Sequence, residues 1–202
     1  MQGIKSLHKV SKKELKHVIN IFIEAFGGNY TFYGSKPKKR KLKYLFKFLV
    51  LSGYYRGTIL ATSPKMEGAS IWIKTTGRKF SLKGIIRKGG WKLFLNLPFV
   101  NFVKLSIVGL ILDIKQKKWA PGLHWYLKFI AIKPEFQGKG FANFIIQNML
   151  YEVDKDGLVC YLETQNPNII PFYEKYGFEV AEKFSIFGKP TRAVIRKPQK
   201  IL

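Results

Sequence analysis

The fold is decided by the stretch KPEFQGKGFA at residues 133–142, which separates an apolar run from a helical pattern. The run before it, HWYLKFIAI at residues 124–132, is rich in aromatic and β-branched residues and predicts a central strand. Apolar residues recur at helical spacing from Gly138 to Asp156, which predicts a helix after the turn. Glycines at such a turn let backbone N–H groups converge, and the helix start adds its positive dipole end. The stretch therefore predicts a diphosphate site, although a plain helix cap with close packing would use the same glycines.

Two familiar phosphate-binding loops do not match this turn. The dinucleotide fingerprint requires a third glycine at position 143, which here is Asn143. The Walker loop requires a serine or threonine after its Gly-Lys pair, whereas Gly138-Lys139 is followed by Gly140. The turn therefore belongs to neither class.

A second informative stretch, YLETQNPNIIPFYEKYGFEV, occupies residues 161–180. Leu158–Thr164 predicts a buried strand, and Pro167–Tyr176 predicts a short helix that ends before a glycine. Phe178–Phe187 and Thr191–Lys197 predict a closing antiparallel pair of strands. Strand, helix, strand, helix, strand is the order of a parallel or mixed α/β sheet.

The N-terminal half reads as helices and short strands. Ser11 and Glu14 form a capping-box pattern at the start of the first helix. The predicted elements are a helix ending at Gly27–Gly28, a helix from about Pro37 to Leu51, strands at about Tyr54–Thr62 and Ala69–Lys74, and a helical stretch at 80–118 whose second part opens at Pro98.

No repeat, low-complexity segment or Pro/Gly/Ser-rich linker divides the chain, so one domain over residues 1–202 is expected. Its predicted parts are N-terminal helices and first strands at 1–79, a helical insertion at 80–118, a core at 124–187, and a closing strand and tail at 188–202.

The chain carries 36 Lys and Arg against 12 Asp and Glu, a net charge of +24. With 47% apolar and 15% aromatic residues it is nevertheless too hydrophobic to be disordered. Residues 1–112 hold 22 basic and 3 acidic groups, and residues 113–202 hold 14 and 9. Only six of the basic residues are Arg, the side chain best suited to reading bases and phosphates. The charge therefore favours a generally anion-attracting surface, and no specific nucleic acid is expected.

Several features predict a cytoplasmic protein. Cys160 is the only cysteine, so no internal disulfide forms, which suits a reducing compartment. The first 17 residues lack the apolar core of a signal peptide. The most apolar stretch, residues 93–112, is interrupted by Asn96, Pro98 and Lys104, so no membrane span is expected.

The two stretches together resemble the GNAT superfamily of acyl-CoA-dependent N-acetyltransferases. The family pattern Gln/Arg-x-x-Gly-x-Gly/Ala is matched by Gln137, Gly140 and Ala142, and Asn-x(6)-Tyr-x(3)-Gly-Phe is matched by Asn166, Tyr173, Gly177 and Phe178. The resemblance extends over about residues 124–187. Within the family, the chain resembles a bacterial-type subgroup that has a helical insertion before the HWYL strand. It implies an α/β fold whose twisted sheet is mixed and mostly antiparallel, with a splayed central parallel pair flanked by helices. Monomer and homodimer both stay open.

The resemblance also implies a site. The cosubstrate would be acetyl-CoA, without a metal, and the acceptor a primary amine of a small molecule or peptide that attacks directly in a ternary complex. Tyr173 would be the general acid, and Asn166 would bond to the pantetheine arm. The family's CoA loop and the free strand edge that pairs with pantetheine would fall on Gln137, Gly138, Lys139, Gly140, Phe141, Ala142, Phe129, Ile130, Ala131 and Ile132.

The general base and a rival function stay open at this point. Residues 124–132 contain no carboxylate, so Glu163 on the neighbouring strand and His124 are the candidates, beside a Tyr126 hydroxyl or water relay. The rival is a GNAT-like binding module that uses its basic N-terminal half, residues 38–41 above all, on nucleic acid or an anionic membrane surface.

Overall fold

The computed structural model describes residues 7–26, 39–75 and 99–200. Its strands are β1 (His8–Lys9), β2 (Thr58–Ala61), β3 (Gly68–Thr75), β4 (His124–Ile132), β5 (Cys160–Thr164), β6 (Glu179–Ile186) and β7 (Lys189–Arg196). Its helices are α1 (Leu15–Phe26), α2 (Lys39–Arg56), α3 (Phe99–Trp119), α4 (Phe141–Lys155) and α5 (Ile170–Glu174), with 3-10 turns at Lys12–Glu14, Pro134–Phe136 and Pro167–Ile169. The predicted helix limits at Gly27–Gly28 and Pro37, and the predicted helical stretch up to residue 98, lie outside the described residues.

The seven strands form one sheet in the order β1-β2-β3-β4-β5-β7-β6. Only β4 and β5 run parallel, and the other neighbours are antiparallel. The parallel pair joins at Trp125↔Cys160 and Tyr126↔Tyr161 and nowhere further along. The strands therefore part beyond Tyr126, and the predicted mixed sheet with a splayed central pair is confirmed.

A β-bulge interrupts β4 next to this splay. Ile71 of β3 pairs with Phe129, and the next residue, Trp72, pairs with Leu127. Lys128 is therefore the extra residue of the bulge. A bulge bends its strand and re-aims one side chain, and here it lies where β4 turns away from β5.

Two predicted element boundaries were wrong, and one strand was not predicted. Tyr54 was expected to begin a strand, but α2 continues to Arg56 and β2 begins at Thr58. Tyr54 packs against the core with the rest of the helix, and burial of that helical face outweighs the strand propensity of its aromatic residues. The short strand β1 was not predicted, because two residues carry no periodicity. The helix expected from Gly138 begins at Phe141, since Gly138 and Gly140 adopt left-handed backbone angles.

Helices cover both faces of the sheet. One face, called the α2 face here, packs buried residues of α1 and α2, such as Phe22 and Phe46, against β3 and β4. The end of α3 joins the same face, where Trp119 packs beside Tyr126 and Tyr161. The opposite α4 face buries side chains of α4 and α5 against the sheet, among them Ile146, Met149, Val153 and Tyr173. Because strand residues alternate between faces, each side chain at the splay belongs to one of these two layers.

An enclosed ion pair connects the C-terminal strand to the α4 face. Arg196 is 3% exposed and bonds both carboxylate oxygens of Asp154, at 2.6 and 2.8 Å, and its Nε donates to the Tyr176 carbonyl at 2.7 Å. We expect Arg196→Met to lower the free energy of unfolding by about 3–5 kcal/mol in urea denaturation, because it leaves the Asp154 carboxylate without its cation. The double variant with Asp154→Leu should recover much of that loss. Equal stability of wild type and Arg196→Met would contradict this account.

Candidate active site

The candidate site lies where β4 and β5 part. Alternation along β5 places Tyr161 and Glu163 on the α2 face, while Cys160 and Leu162 lie in the core of the α4 face. Glu163 stands two residues beyond the last residue of β5 that pairs with β4. Its carboxyl group therefore lies at the opening of the splay.

Glu163 is held in a setting that suits a proton acceptor. The Tyr126 hydroxyl donates to its Oε2 at 2.7 Å, and its Oε1 is enclosed without a hydrogen-bond partner in the described part of the chain. Burial raises the pKa of Glu163 from 4.5 to about 7, against the hydrogen bond from Tyr126 and the charge of Lys128, which lower it. A carboxyl group that ionises near neutral pH is matched to general-base work.

The hydroxyls beside Glu163 stay protonated. Burial and the Glu163 charge raise the pKa values of both Tyr126 and Tyr161. The Tyr161 hydroxyl is enclosed beside the Glu163 carboxylate, whose negative charge favours its protonated form. A relay through the Tyr126 hydroxyl was one of the alternatives for the general base. In the structure this hydroxyl keeps its proton and donates the hydrogen bond that orients Glu163.

His124 is placed less favourably for the chemistry. It is 1% exposed, its Nδ1 lies 2.9 Å from the Gly122 carbonyl oxygen, and burial lowers its pKa. It opens β4 at the closed end of the splay, with its ring 6.5 Å from that of Tyr161. The geometry favours Glu163 as the base and a packing role for His124.

Lys128 is a candidate site residue that the sequence did not indicate. Its Nζ lies 3.4 Å from Ser52 Oγ on α2, and burial with the nearby Arg56 charge lowers its pKa to about 8. The signal was present, since Lys128 is the single charged residue of the run 124–132. A bulge that turns this side chain onto the α2 face leaves no local pattern, so the sequence offered no reason to single it out.

Tyr173 approaches β5 from the opposite side. It is 4% exposed and packs in the α4-face core, with its ring 5.2 Å from Phe172 and 5.5 Å from Phe178. Burial raises its pKa, so the hydroxyl keeps its proton at neutral pH. The structure thus brings Glu163 and Tyr173 to β5 from different faces of the sheet.

The turn before α4 has the form of an anion cradle. Gly138 and Gly140 have φ values of 74° and 82°, and a Cβ at either position would meet open space. In the described part of the chain, no hydrogen-bond acceptor is recorded for the backbone N–H groups of Gly138, Lys139, Gly140, Phe141 and Ala142. These are free donors at a helix start, where an anion is bound most readily, so the residues present fit a diphosphate.

Neighbouring groups hold the cradle and add charge. Gln137 Nε2 donates to the Ile132 carbonyl at 3.0 Å and ties the turn to the end of β4. Lys139 Nζ and Lys133 Nζ lie 5.4 and 6.0 Å from the Phe136 ring, so two cations stand at the turn.

The strand edge named from the sequence is open toward β5. Phe129, Ile130, Ala131 and Ile132 lie beyond the last β4–β5 pair, and their other edge is bonded to β3. Asn166 follows β5 and is exposed, and its Oδ1 accepts the Asn168 N–H at 3.0 Å. The Asn166 side chain therefore begins a 3-10 turn and keeps its Nδ2 hydrogens for another acceptor.

The described residues were also considered as metal ligands and as membrane-spanning segments. They contain no group of three or more His, Cys, Asp or Glu side chains that could hold a metal ion. No helix among them has the length and apolarity to cross a membrane. The basic run 38–41 lies outside the side chains that the structure describes.

Comparisons with known proteins find similarity to acetyltransferases. The family model described as an acetyltransferase (GNAT) domain matches residues 101–180. An uncharacterized N-acetyltransferase of Schizosaccharomyces pombe is 25% identical over 178 residues, which are 80% of this chain and 68% of the relative.

Solved structures share the fold at low sequence identity. A histone acetyltransferase and related acetyltransferase from Corynebacterium glutamicum has a TM-score of 0.62 at 16% identity, with 97% of each chain covered. Arylalkylamine N-acetyltransferase 2 from Aedes aegypti has a TM-score of 0.65 at 12% identity, covering 96% of this chain and 99% of the other.

Proposed function

This chain belongs to the GNAT superfamily of N-acetyltransferases and is an acyltransferase, and we propose that it transfers an acetyl group from acetyl-CoA directly to a primary amine. The observation that carries the proposal is the Glu163 carboxyl group at the β4–β5 splay, with a pKa of about 7. Tyr173 lies on the other side of the same strand. A base and an acid on opposite faces match a reaction that removes one proton and delivers another.

The cradle and the open strand edge supply the acetyl-CoA site in this proposal. When bound, acetyl-CoA supplies an activated thioester. The free N–H groups from Gly138 to Ala142 hold the diphosphate, and Lys139 adds a cation beside it. The backbone of Phe129–Ile132 pairs with the amides of the pantetheine arm, and Asn166 donates to the same arm.

The two proton transfers take place on opposite faces of the sheet in this proposal. The amine enters from the α2 face and gives one proton to Glu163 while its nitrogen forms the bond to the acetyl carbon. The carbon–sulfur bond breaks, and Tyr173 donates its hydroxyl proton to the departing sulfur. Burial keeps Tyr173 protonated until that step, and a backbone N–H of β4 stabilises the charge that develops on the carbonyl oxygen.

The relatives do not agree on an acceptor. One structural neighbour is described as a histone acetyltransferase and another as an arylalkylamine N-acetyltransferase, so fold likeness does not select between protein and small-molecule amines. The acceptor class depends on the side chains that this chain places on the α2 face.

Acetyl-CoA binding is tested by thermal shift. We expect 1 mM acetyl-CoA to raise Tm by about 5 °C or more, the result of roughly hundredfold saturation of one site. Gly140→Ala should weaken this binding about tenfold, because its Cβ would enter the open space of the cradle and strain a φ of 82°. Gly188→Ala is the matched control, since Gly188 has a φ of 75° and open space at the distant β6–β7 turn.

The two variants separate backbone strain from a cradle effect. Gly188→Ala should lower Tm about as much as Gly140→Ala but keep the full acetyl-CoA shift. If millimolar acetyl-CoA leaves the wild-type Tm unchanged, the proposed function is lost.

A further inference from the structure

Lys128 is a cation that the proposed reaction does not use. The bulge in β4 brings its Nζ within 3.4 Å of Ser52 Oγ on α2, and its pKa responds to the charges of Arg56 and Glu163. Its contact with α2 places Lys128 on the α2 face, the face that also carries the Glu163 carboxylate. An acceptor that places its amine at Glu163 would lie next to this ammonium.

The local charges leave Lys128 without a close anion. Among the described residues, no carboxylate oxygen lies within 4.0 Å of its Nζ, whereas Lys74, Lys115, Lys117, Lys118 and Arg196 each have one. The positive charge of Arg56 lowers the pKa of Lys128, and the Glu163 carboxylate raises it. Enclosing an ammonium is unfavourable unless an anion offsets the lost hydration. The α2 face of the splay is thus prepared for a negative group.

The diphosphate of acetyl-CoA is not the anion that Lys128 would bind. Its proposed cradle begins α4, which packs on the opposite face of the sheet. Lys128 also lies four residues before the end of β4, while the cradle follows that end. The anion that suits Lys128 must come from the acceptor side.

We propose that the acceptor is a small molecule that carries an acidic group a few bonds from its primary amine, and that Lys128 binds this group while the amine reaches Glu163. The inference rests on the proposed function, because Glu163 defines the amine position. The net charge of +24 acts in the same direction, since it attracts anionic acceptors and repels polycationic ones. Lys128 is then a specificity residue, and the Ser52 hydroxyl orients its ammonium.

The experiment compares paired acceptors in which one member carries an additional acidic group. Glycine and glycinamide, β-alanine and β-alaninamide, glutamate and glutamine, and phosphoethanolamine and ethanolamine are each assayed with acetyl-CoA by thiol release and product mass. For each pair, the ratio of kcat/KM of the more acidic member to its partner is measured in wild type and in variants. The change of this ratio between proteins cancels the intrinsic difference in amine basicity within a pair.

Lys128→Met should lower the ratio about 10- to 100-fold for the pairs that wild type accepts, the worth of a hydrogen bond to a charged group. Lys128→Arg should keep most of the preference. Lys47→Met is the matched control, because Lys47 is exposed on α2 and its loss changes the net charge equally. The acetyl-CoA thermal shift of Lys128→Met should equal that of wild type, which shows that the fold and the cradle are intact.

The remaining outcomes each support or overturn the inference. An unchanged ratio in Lys128→Met overturns it, as does acetylation confined to amines without an acidic group, which leaves the proposed function standing. If wild type acetylates no member of the panel, N-acetyl-β-alanine and N-acetylglutamate are titrated into the enzyme–CoA complex by calorimetry. Binding that Lys128→Met abolishes supports the inference, and absence of binding overturns it. A wild type that also shows no acetyl-CoA shift would reject the proposed function itself.

Discussion

Glu163→Gln is expected to lower kcat by about 10²- to 10⁴-fold, the range that a positioned general base contributes. The amide has nearly the same shape, and its oxygen still accepts the Tyr126 hydroxyl, so the site keeps its geometry and loses only the proton acceptor. The measurement is thiol release under saturating acetyl-CoA. Glu152→Gln on the exposed surface of α4 removes the same charge and should keep full activity.

The pH profile gives an independent check of the same role. Because Glu163 acts when ionised and has a pKa of about 7, wild-type kcat/KM should fall tenfold per pH unit well below 7. Lys128 lowers the pKa of Glu163 through its positive charge, so Lys128→Met should move the midpoint of this limb to higher pH. A Glu163→Gln enzyme with near-wild-type turnover would instead return the base role to His124 or a water relay.

Glu163→Gln should be more stable than wild type at pH values where Glu163 of the wild type is ionised. The pKa of Glu163 is raised in the folded state, so its contribution to stability is fully present below about pH 4.5 and is lost as the pH rises through about 7. Glu163→Gln carries no such charge, and at pH 8 it should be more stable than wild type by up to about 3 kcal/mol. The difference should shrink toward zero near pH 4.5. Urea denaturation at both pH values measures it.

Tyr173→Phe is expected to lower kcat by about 10²-fold or more, because the departing thiolate loses its proton donor. Its KM for acetyl-CoA should stay within about threefold of wild type, since the cradle lies in a different segment. Loss of one hydroxyl leaves the ring contacts with Phe172 and Phe178 in place, so the stability should change little.

Tyr176→Phe is the matched control for this variant. Tyr176 follows the same short helix, and its hydroxyl donates to Asn143 Oδ1 at 2.9 Å on the exposed side of α4. Turnover should survive this change. If Tyr173→Phe kept wild-type kcat while Tyr176→Phe lost it, the assignment of the general acid to Tyr173 would be wrong.

Local sequence patterns predicted the central elements of the fold. The strand at residues 124–132, the glycine turn after it and the helix that follows each depend on neighbours in sequence, and the structure has all three. The strand order could be predicted only as a class, because β7 inserts between β5 and β6 through contacts distant in the chain. Tyr54 shows the opposite case, since an aromatic residue with strand propensity was drawn into α2 by burial against α1.

The sequence by itself indicated the GNAT resemblance and predicted the positions of the cradle, of Asn166 and of Tyr173, because a motif is a spacing and spacing is local. Only the tertiary structure gives a reason to prefer one of the candidate bases. Glu163 and His124 are equally plausible as letters, but burial moves their pKa values in opposite directions, and only Glu163 stands at the opening of the splay. Lys128 likewise could be singled out only from the tertiary structure. A bulge and an overlying helix set its surroundings, and electrostatic environment depends on distance in space rather than in sequence.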